Sequence, residues 1–132
     1  MLTGDKLETA VQIGHSCKLI PDNSNVIIVT EDIDDSFQKV YESNEPVTLV
    51  IHASILNTIF NEYSNEFRDI SKRCKSVICC RMSPVQKGNL VKLMKGNSFF
   101  QDSKRTLSVG DGASDLNMLR EADVGIGGKF KI

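Results

Sequence analysis

Short runs of β-branched and aliphatic residues at positions 26–29, 47–51, 77–80, 106–109 and 124–126 constrain this chain more than any other feature. Each run is rich in Val, Ile or Leu rather than strictly alternating with polar residues, as a strand is when both of its faces are buried. Segments of helical period lie between them, and the spacing predicts helices near residues 6–18, 54–63, 84–95 and 114–121. Strands that alternate with helices in this way imply a doubly wound α/β fold, with a parallel sheet covered on both faces. The first helix carries Leu7, Ala10, Val11 and Gly14 at helical spacing, an apolar stripe in which Gly14 permits close packing. A length of 132 residues suits one soluble domain of this class.

Composition removes several other classes. The formal net charge of −1 gives no electrostatic reason to expect nucleic acid or an anionic membrane surface as a partner. No stretch approaches the roughly 18 to 20 consecutive apolar residues of a spanning helix, and the N-terminus lacks the basic-then-apolar pattern of a signal peptide. Cys17, Cys74, Cys79 and Cys80 have neither CxxC spacing nor nearby paired histidines. Reduced, mostly buried thiols in a cytosolic setting are therefore expected rather than zinc. The acidic run of Glu31, Asp32, Asp34 and Asp35 lacks the glycine and distal glutamate of a calcium loop and reads as the solvated start of a helix.

Three stretches fall where an expected strand hands over to a helix, the edge of an open parallel sheet at which ligands bind. In "MLTGDK", Thr3 supplies a hydroxyl, Gly4 lets a ligand approach the backbone, and Asp5 stands near a helix start, which suits phosphate. Thr and Asp are also ordinary helix caps. In "CRMSPVQKG", Ser83, Pro84 and Gln86 read as an N-cap, a proline in the first helical turn and a capping-box partner. Lys87 then occupies the first turn, where a cation is mildly unfavourable unless an anion meets it. A solvated lysine is the plainer alternative, and on either reading a neutral replacement is expected to cost little stability. In "LSVGDGASDLNML", Asp111 lies in the turn leaving a strand and Asp115 about one helical turn further on. Carboxylates so close repel unless a cation neutralises them, and oxygen ligands with open positions suit Mg²⁺. A glycine turn followed by an aspartate cap would give the same letters.

Together "TGDK", "SPVQKG" and "GDGASD" resemble the later motifs of the haloacid-dehalogenase superfamily as found in P-type ATPases. The longer strings "LTGDKLETAVQIGHSCKLI", "VICCRMSPVQKGNLVKLMK" and "GDGASDLNMLREADVGIG" resemble the phosphorylation domain of type IV P-type ATPases, the phospholipid flippases. The resemblance spans nearly the whole chain, with residues 21–63 its least specific part. It implies a HAD-like, Rossmann-like sheet in which residues 1–132 form the C-terminal part of a phosphorylation domain. It also implies that Thr3, Gly4 and Asp5 hold nucleotide and the transferred phosphoryl group. Arg81, Lys87, Ser114 and Asp115 would contact ATP or phosphate, Thr3 and Lys87 would act in catalysis, and Asp111 and Asp115 would serve Mg²⁺. Ser114 stands where the family usually has Asn, and a hydroxyl cannot offer two N–H donors.

The "DKTGT" stretch, whose Asp accepts the phosphoryl group from ATP in this family, is missing from the 132 residues, as are the "TGE" motif and any membrane helix. The expectation is a fragment, with an incomplete sheet because the nucleophile-bearing strand is absent. The closing "GGKFKI" also departs from the family's usual Glu-Gly continuation. The parent would be an integral membrane protein that works at the cytoplasmic face, with ATP and phospholipid as partners and an accessory subunit as a further candidate. Two alternatives come from other classes. A stand-alone phosphatase of the superfamily needs an Asp-x-Asp nucleophile near its N-terminus, where this chain has only Asp5 within "TGD". A non-catalytic regulatory or interaction module needs no nucleophile.

Overall fold

The computed structural model describes residues 1–96 and 105–128. Its elements run α1 (Leu7–Ser16), β1 (Asn25–Ile28), α2 (Ile33–Glu42), β2 (Val47–His52), α3 (Ala53–Glu62), α4 (Ser64–Arg73), β3 (Ser76–Cys80), α5 (Pro84–Lys95), β4 (Leu107–Gly110), a 3₁₀ turn (Ala113–Asp115), α6 (Leu116–Glu121) and β5 (Val124–Gly127). All strand pairs are parallel, as the apolar runs imply. They form two sheets, in keeping with an incomplete doubly wound sheet, and the chain divides into two compact units, Met1–Met82 and Ser83–Ile132. The expected departure at "GGKFKI" falls mainly on residues 129–132, outside the described residues.

In the first unit β2 is the central strand, with β1 on one side and β3 on the other. Leu49, Val50 and Ile51 are fully buried, each contributing roughly 1.5–3 kcal/mol of burial. Leu2 bridges Cys79 in parallel and the Thr3 amide donates to the Cys79 carbonyl at 3.0 Å, so the first residues continue the sheet beyond β3. The helical stripe of α1 packs as expected: Ala10 joins Ile20, Val50, Ile78 and Cys80 in one buried cluster, flanked by Leu7 and Val11. A Cβ on Gly14 would come within 2.8 Å of Ile78 Cδ1 and 2.9 Å of Ile20 Cδ1, so this glycine sets how closely α1 lies on the core.

The acidic run does begin a helix. Asp32 caps α2 by accepting the Asp35 amide at 3.1 Å, and Asp34 and Asp35 occupy its first turn. Helix α4 is not legible in the sequence, because only Phe67 and Ile70 of its residues are buried and the rest of its surface is polar. The cysteines divide differently from expectation: all four are free, Cys79 and Cys80 are buried, but Cys74 is half-buried and Cys17 exposed. Burial pushes the Cys79 thiol up to about 12 and that of Cys74 to about 11, so neither is a ready nucleophile. Among the described residues no cluster of His, Cys, Asp and Glu could hold a metal by itself, and no helix is long and apolar enough to cross a membrane.

In the second unit β4 pairs with β5, Leu107 opposite Val124 and Val109 opposite Ile126, and α5 packs against α6. Thr106 and Asp123 lock the start of this pair: the Thr106 amide and hydroxyl donate to Asp123 Oδ2 at 2.7 and 3.0 Å, and the Asp123 amide donates to Thr106 Oγ1 at 3.1 Å. The expectation of burial on both faces fails here. Leu107, Val109, Val124 and Ile126 are 61, 64, 56 and 54 % exposed, because α6 covers only the face on which Ser108 and the glycines lie.

Two substitutions test this packing. A Cβ on Gly125 would strike the Leu119 carbonyl oxygen, a backbone atom that cannot swing aside. Gly125→Ala is therefore expected to lower unfolding free energy by about 1–3 kcal/mol in urea titration. Lys18, just past the end of α1, has φ 62°. Lys18→Gly is expected to raise stability by up to about 1 kcal/mol, since a left-handed residue favours glycine.

Candidate functional site

In the first unit the Thr3, Gly4 and Asp5 turn is tied to the end of β3 by its backbone. The Met82 amide donates to the Thr3 carbonyl and the Arg81 amide to the Asp5 carbonyl, both at 2.9 Å. Arg81, far from Thr3, Gly4 and Asp5 in sequence, is thus their neighbour. Thr3 Oγ1 accepts the Asp5 amide at 3.1 Å, a local turn rather than a helix cap. The residue that caps α1 is Lys6, with no side-chain hydrogen bond, so the ordinary capping role does not account for Thr3 or Asp5. A Cβ on Gly4 would lie 3.7 Å from the Met82 carbonyl, an ordinary contact, so the chain's own packing does not demand glycine there. Arg81 is exposed and has φ 57°, a left-handed conformation that L residues adopt at a penalty. Such strain clusters at functional positions.

The second unit begins with the capping box read from the sequence. Ser83 Oγ accepts the Gln86 amide at 3.2 Å and Gln86 Oε1 accepts the Ser83 amide at 3.0 Å, with Pro84 in the first turn. This fixes where Lys87 emerges. Its ammonium is not solvated: Lys87 is 6 % exposed and donates to Asp115 Oδ1 at 2.8 Å. The carboxylate itself is held by the turn, since Asp115 Oδ2 accepts the Gly112 amide at 3.2 Å. Burial, the largest single influence, pushes the Asp115 carboxyl up. The Lys87 hydrogen bond, the Gly112 amide, the Lys87 charge and the Asp111 amide together outweigh it and hold the group below its ordinary value. The expectation that Lys87 could be neutralised at little cost therefore gives way: its anion is already present inside the unit.

Asp111 and Asp115 stand in different surroundings. Asp115 is buried against Lys87, whereas Asp111 is exposed and its carboxylate accepts no hydrogen bond from any described residue. Ser114 is exposed beside them. Two glycines support the pair, Gly110 of the turn read from the sequence and Gly88, which the sequence does not single out. A Cβ on Gly110 would lie 2.6 Å from Asp115 Cβ, and one on Gly88 would lie 3.1 Å from Asn117 Cβ, where α5 meets α6. Their only sequence signal is adjacency, Gly110 to Asp111 and Gly88 to Lys87.

A buried ammonium–carboxylate pair, with a second carboxylate exposed on the turn that follows β4, thus lies in a parallel α/β unit. No protein-family model matches the chain. Over 96 % of its length it is 37 % identical to the phospholipid-transporting ATPase DRS2 of Saccharomyces cerevisiae and 35 % identical to the phospholipid-transporting ATPase tat-1 of Caenorhabditis elegans. It is 32 % identical, over 99 % of its length, to the human phospholipid-transporting ATPase IG. The chain is thus homologous to a fragment of the type IV, phospholipid-transporting P-type ATPases. It spans only 10, 12 and 15 % of the length of these three relatives.

The Lys87–Asp115 pair carries a stability prediction of definite sign. Lys87→Met leaves a buried carboxylate unpaired and is expected to cost about 3–5 kcal/mol in denaturant titration, while adding Asp115→Leu recovers most of that loss. Because the Asp115 pKa is lowered on folding, its contribution is complete above the unfolded carboxyl value of about 3.9 and is lost as pH falls through the lower folded value. Asp115→Asn is expected to flatten that acid limb of the stability profile.

Proposed function

We propose that the chain is part of the phosphorylation unit of an ATP-driven, phospholipid-translocating P-type ATPase that works at the cytoplasmic face of a membrane. In this reading Thr3, Gly4, Asp5, Arg81, Lys87, Ser114 and Asp115 contact nucleotide or phosphoryl oxygens, and Asp111, with Asp115, serves Mg²⁺. The observation that carries it is the buried Lys87–Asp115 pair at 2.8 Å with Asp111 exposed on the same turn. Homology to a stretch of phospholipid-transporting ATPases supplies the class.

The donor chemistry fits Mg²⁺, a hard cation that keeps several waters and takes one or two carboxylates beside substrate phosphates. Asp111 offers a free carboxylate, while both Asp115 oxygens already accept hydrogen bonds within the unit. Asp111 would therefore be the primary ligand, and Asp115 could join it through a lone pair that its hydrogen bonds to Lys87 and Gly112 leave over. The ion, when bound, supplies positive charge beside the phosphoryl oxygens. Lys87 adds a second positive charge whose position Asp115 fixes before any substrate arrives, so little reorganisation is needed. The Thr3 hydroxyl donates to a phosphoryl oxygen, and Arg81 offers a planar fork of donors that matches phosphate geometry. Positioning and electrostatics of this kind dominate phosphoryl transfer. The phosphoryl-accepting aspartate lies outside these 132 residues, so the chain by itself takes up no phosphate from ATP. In the intact parent, formation and hydrolysis of the aspartyl-phosphate would drive phospholipid from the outer or lumenal leaflet to the cytoplasmic one. An accessory subunit is a further candidate partner.

Mg²⁺ titration followed by NMR is expected to shift the amides of residues 110–115, weakly, and Asp111→Asn is expected to abolish those shifts. Unchanged spectra on titrating the native chain would remove the metal reading. Labelled γ-phosphate from ATP is expected not to become attached to the chain, and covalent labelling would remove the fragment reading. Arg81→Gly is expected to leave stability equal or raised while phosphate-induced shifts fall.

A further inference from the structure

We infer that the open edge of β1 is a self-pairing surface, on which a second copy of this chain adds its own β1 antiparallel, so that one sheet runs across a twofold axis. Strand β1 is the outermost of its sheet, and among the described residues nothing pairs with its outer side. The Asn25 amide donates to the Pro46 carbonyl at 2.8 Å and the Val29 amide to the Val50 carbonyl at 2.9 Å. These bonds turn Asn25, Ile27 and Val29 toward β2. In a parallel strand the N–H and C=O of one residue point to the same side, so Val26 and Ile28 present theirs outward. Natural edges of this kind are usually blunted by lysine, proline or a bulge, and Asn-Val-Ile-Ile contains none of them. A groove follows the edge, lined by all of β1 and by Lys39, Glu42 and Ser43.

The edge can pair with itself, and the opposite charges of Lys39 and Glu42 beside it favour a second copy over a foreign strand. The outward groups of Val26 and Ile28 are symmetric about Ile27. In antiparallel pairing, Val26 exchanges both hydrogen bonds with the partner's Ile28, and Ile28 with the partner's Val26. Side chains opposed in this way share a face, so Ile28, 47 % exposed in the single chain, would pack on the partner's Val26. A twofold axis perpendicular to the sheet also sets the two α2 helices side by side and antiparallel. Lys39 then approaches the partner's Glu42, and Glu42 the partner's Lys39. Neither is committed to a buried contact: Lys39 pairs with Asp35 at 3.3 Å in an exposed i,i+4 bridge, and Glu42 accepts from Gln38 at 3.2 Å.

The test is sedimentation equilibrium of the full 132-residue chain over a dilution series. Reversible dimerisation is expected. Ile28→Pro removes an outward donor but no β1–β2 hydrogen bond, and is expected to raise the dimer Kd by at least about tenfold. Lys39→Glu is expected to weaken the dimer likewise, and Lys39→Glu combined with Glu42→Lys to restore it, because the exchanged charges match again. Circular dichroism checks that each variant is folded; if Ile28→Pro unfolds the chain, the charge exchange decides. The inference is overturned by a chain that stays monomeric up to about millimolar concentration, or by failure of the double exchange to restore association. It is equally overturned by a dimer insensitive to Lys39→Glu, or by one lost on Val109→Asp instead, which would place association on the exposed β4–β5 face.

Discussion

A buried ammonium beside a buried carboxylate is the constraint on which the arrangement of residues 83–96 and 105–128 turns. Removing two charges from water is expensive, and the expense is recovered only where the geometry is good and the remaining lone pairs are occupied. Each neighbouring feature meets one of these conditions. The capping box of Ser83 and Gln86 fixes the start of α5 and so the point from which Lys87 extends. The absence of a side chain on Gly110 leaves room for Asp115, and the Gly112 amide occupies its second oxygen. Gly88 lets α5 approach Asn117 on α6 closely enough for Lys87 to reach. A cation placed at the wrong end of a helix for the backbone dipole is thereby stabilised by a side chain 28 residues further along.

The same constraint separates two carboxylates that look equivalent in the sequence. Spacing alone puts Asp111 and Asp115 within reach of one cation, with repulsion as the reason to want it. In the fold Lys87 already relieves that repulsion, because Asp115 is neutralised from within and Asp111 alone keeps an open coordination sphere. An arrangement divided in this way has a charge-compensated pair fixed by packing and an exposed carboxylate beside it. Its electrostatics are built by folding.

What the sequence discloses follows physical scale. The strands and α1, α3, α5 and α6 are legible because apolar runs, helical stripes and a capping box are local signals: α5 spans Pro84–Lys95 as its cap implies, and each strand falls within about a residue of its apolar run. The neighbourhood of Thr3, Gly4, Asp5 and Arg81 was partly legible, since each sits at a strand end, although only backbone bonds between the first residues and β3 bring them together. Helix α4 was hidden because Phe67 and Ile70 make too thin a stripe to register as a period. The burial of Lys87 was hidden for a different reason. A lysine in a first helical turn reads as solvated unless its distant partner is known, and pairing across 28 residues leaves no local trace.

The β4–β5 pair shows where an apolar pattern misleads. Leu-Ser-Val-Gly and Val-Gly-Ile-Gly are rich in aliphatic residues, yet these alternate with Ser or Gly, so large side chains project from one face only, and that face is open. The other face is nearly bare of side chains. There Gly125 brings the β5 backbone against Leu119 of α6, so adhesion comes from close backbone approach rather than from interlocking aliphatic groups. A two-stranded sheet is marginal unless a helix packs on it. Here that helix layer is α5 with α6, reinforced by the Thr106–Asp123 lock and by Lys95 Nζ donating to the Glu121 carbonyl at 2.9 Å. Leu107, Val109, Val124 and Ile126 add little to this balance, since apolar area left in water contributes no burial energy. Stability in this unit therefore rests on the α5–α6 layer, where Leu90, Val91 and Met118 are buried and the Lys87–Asp115 pair is held, so a substitution that leaves one partner of the pair unpaired also loosens the layer that supports the sheet.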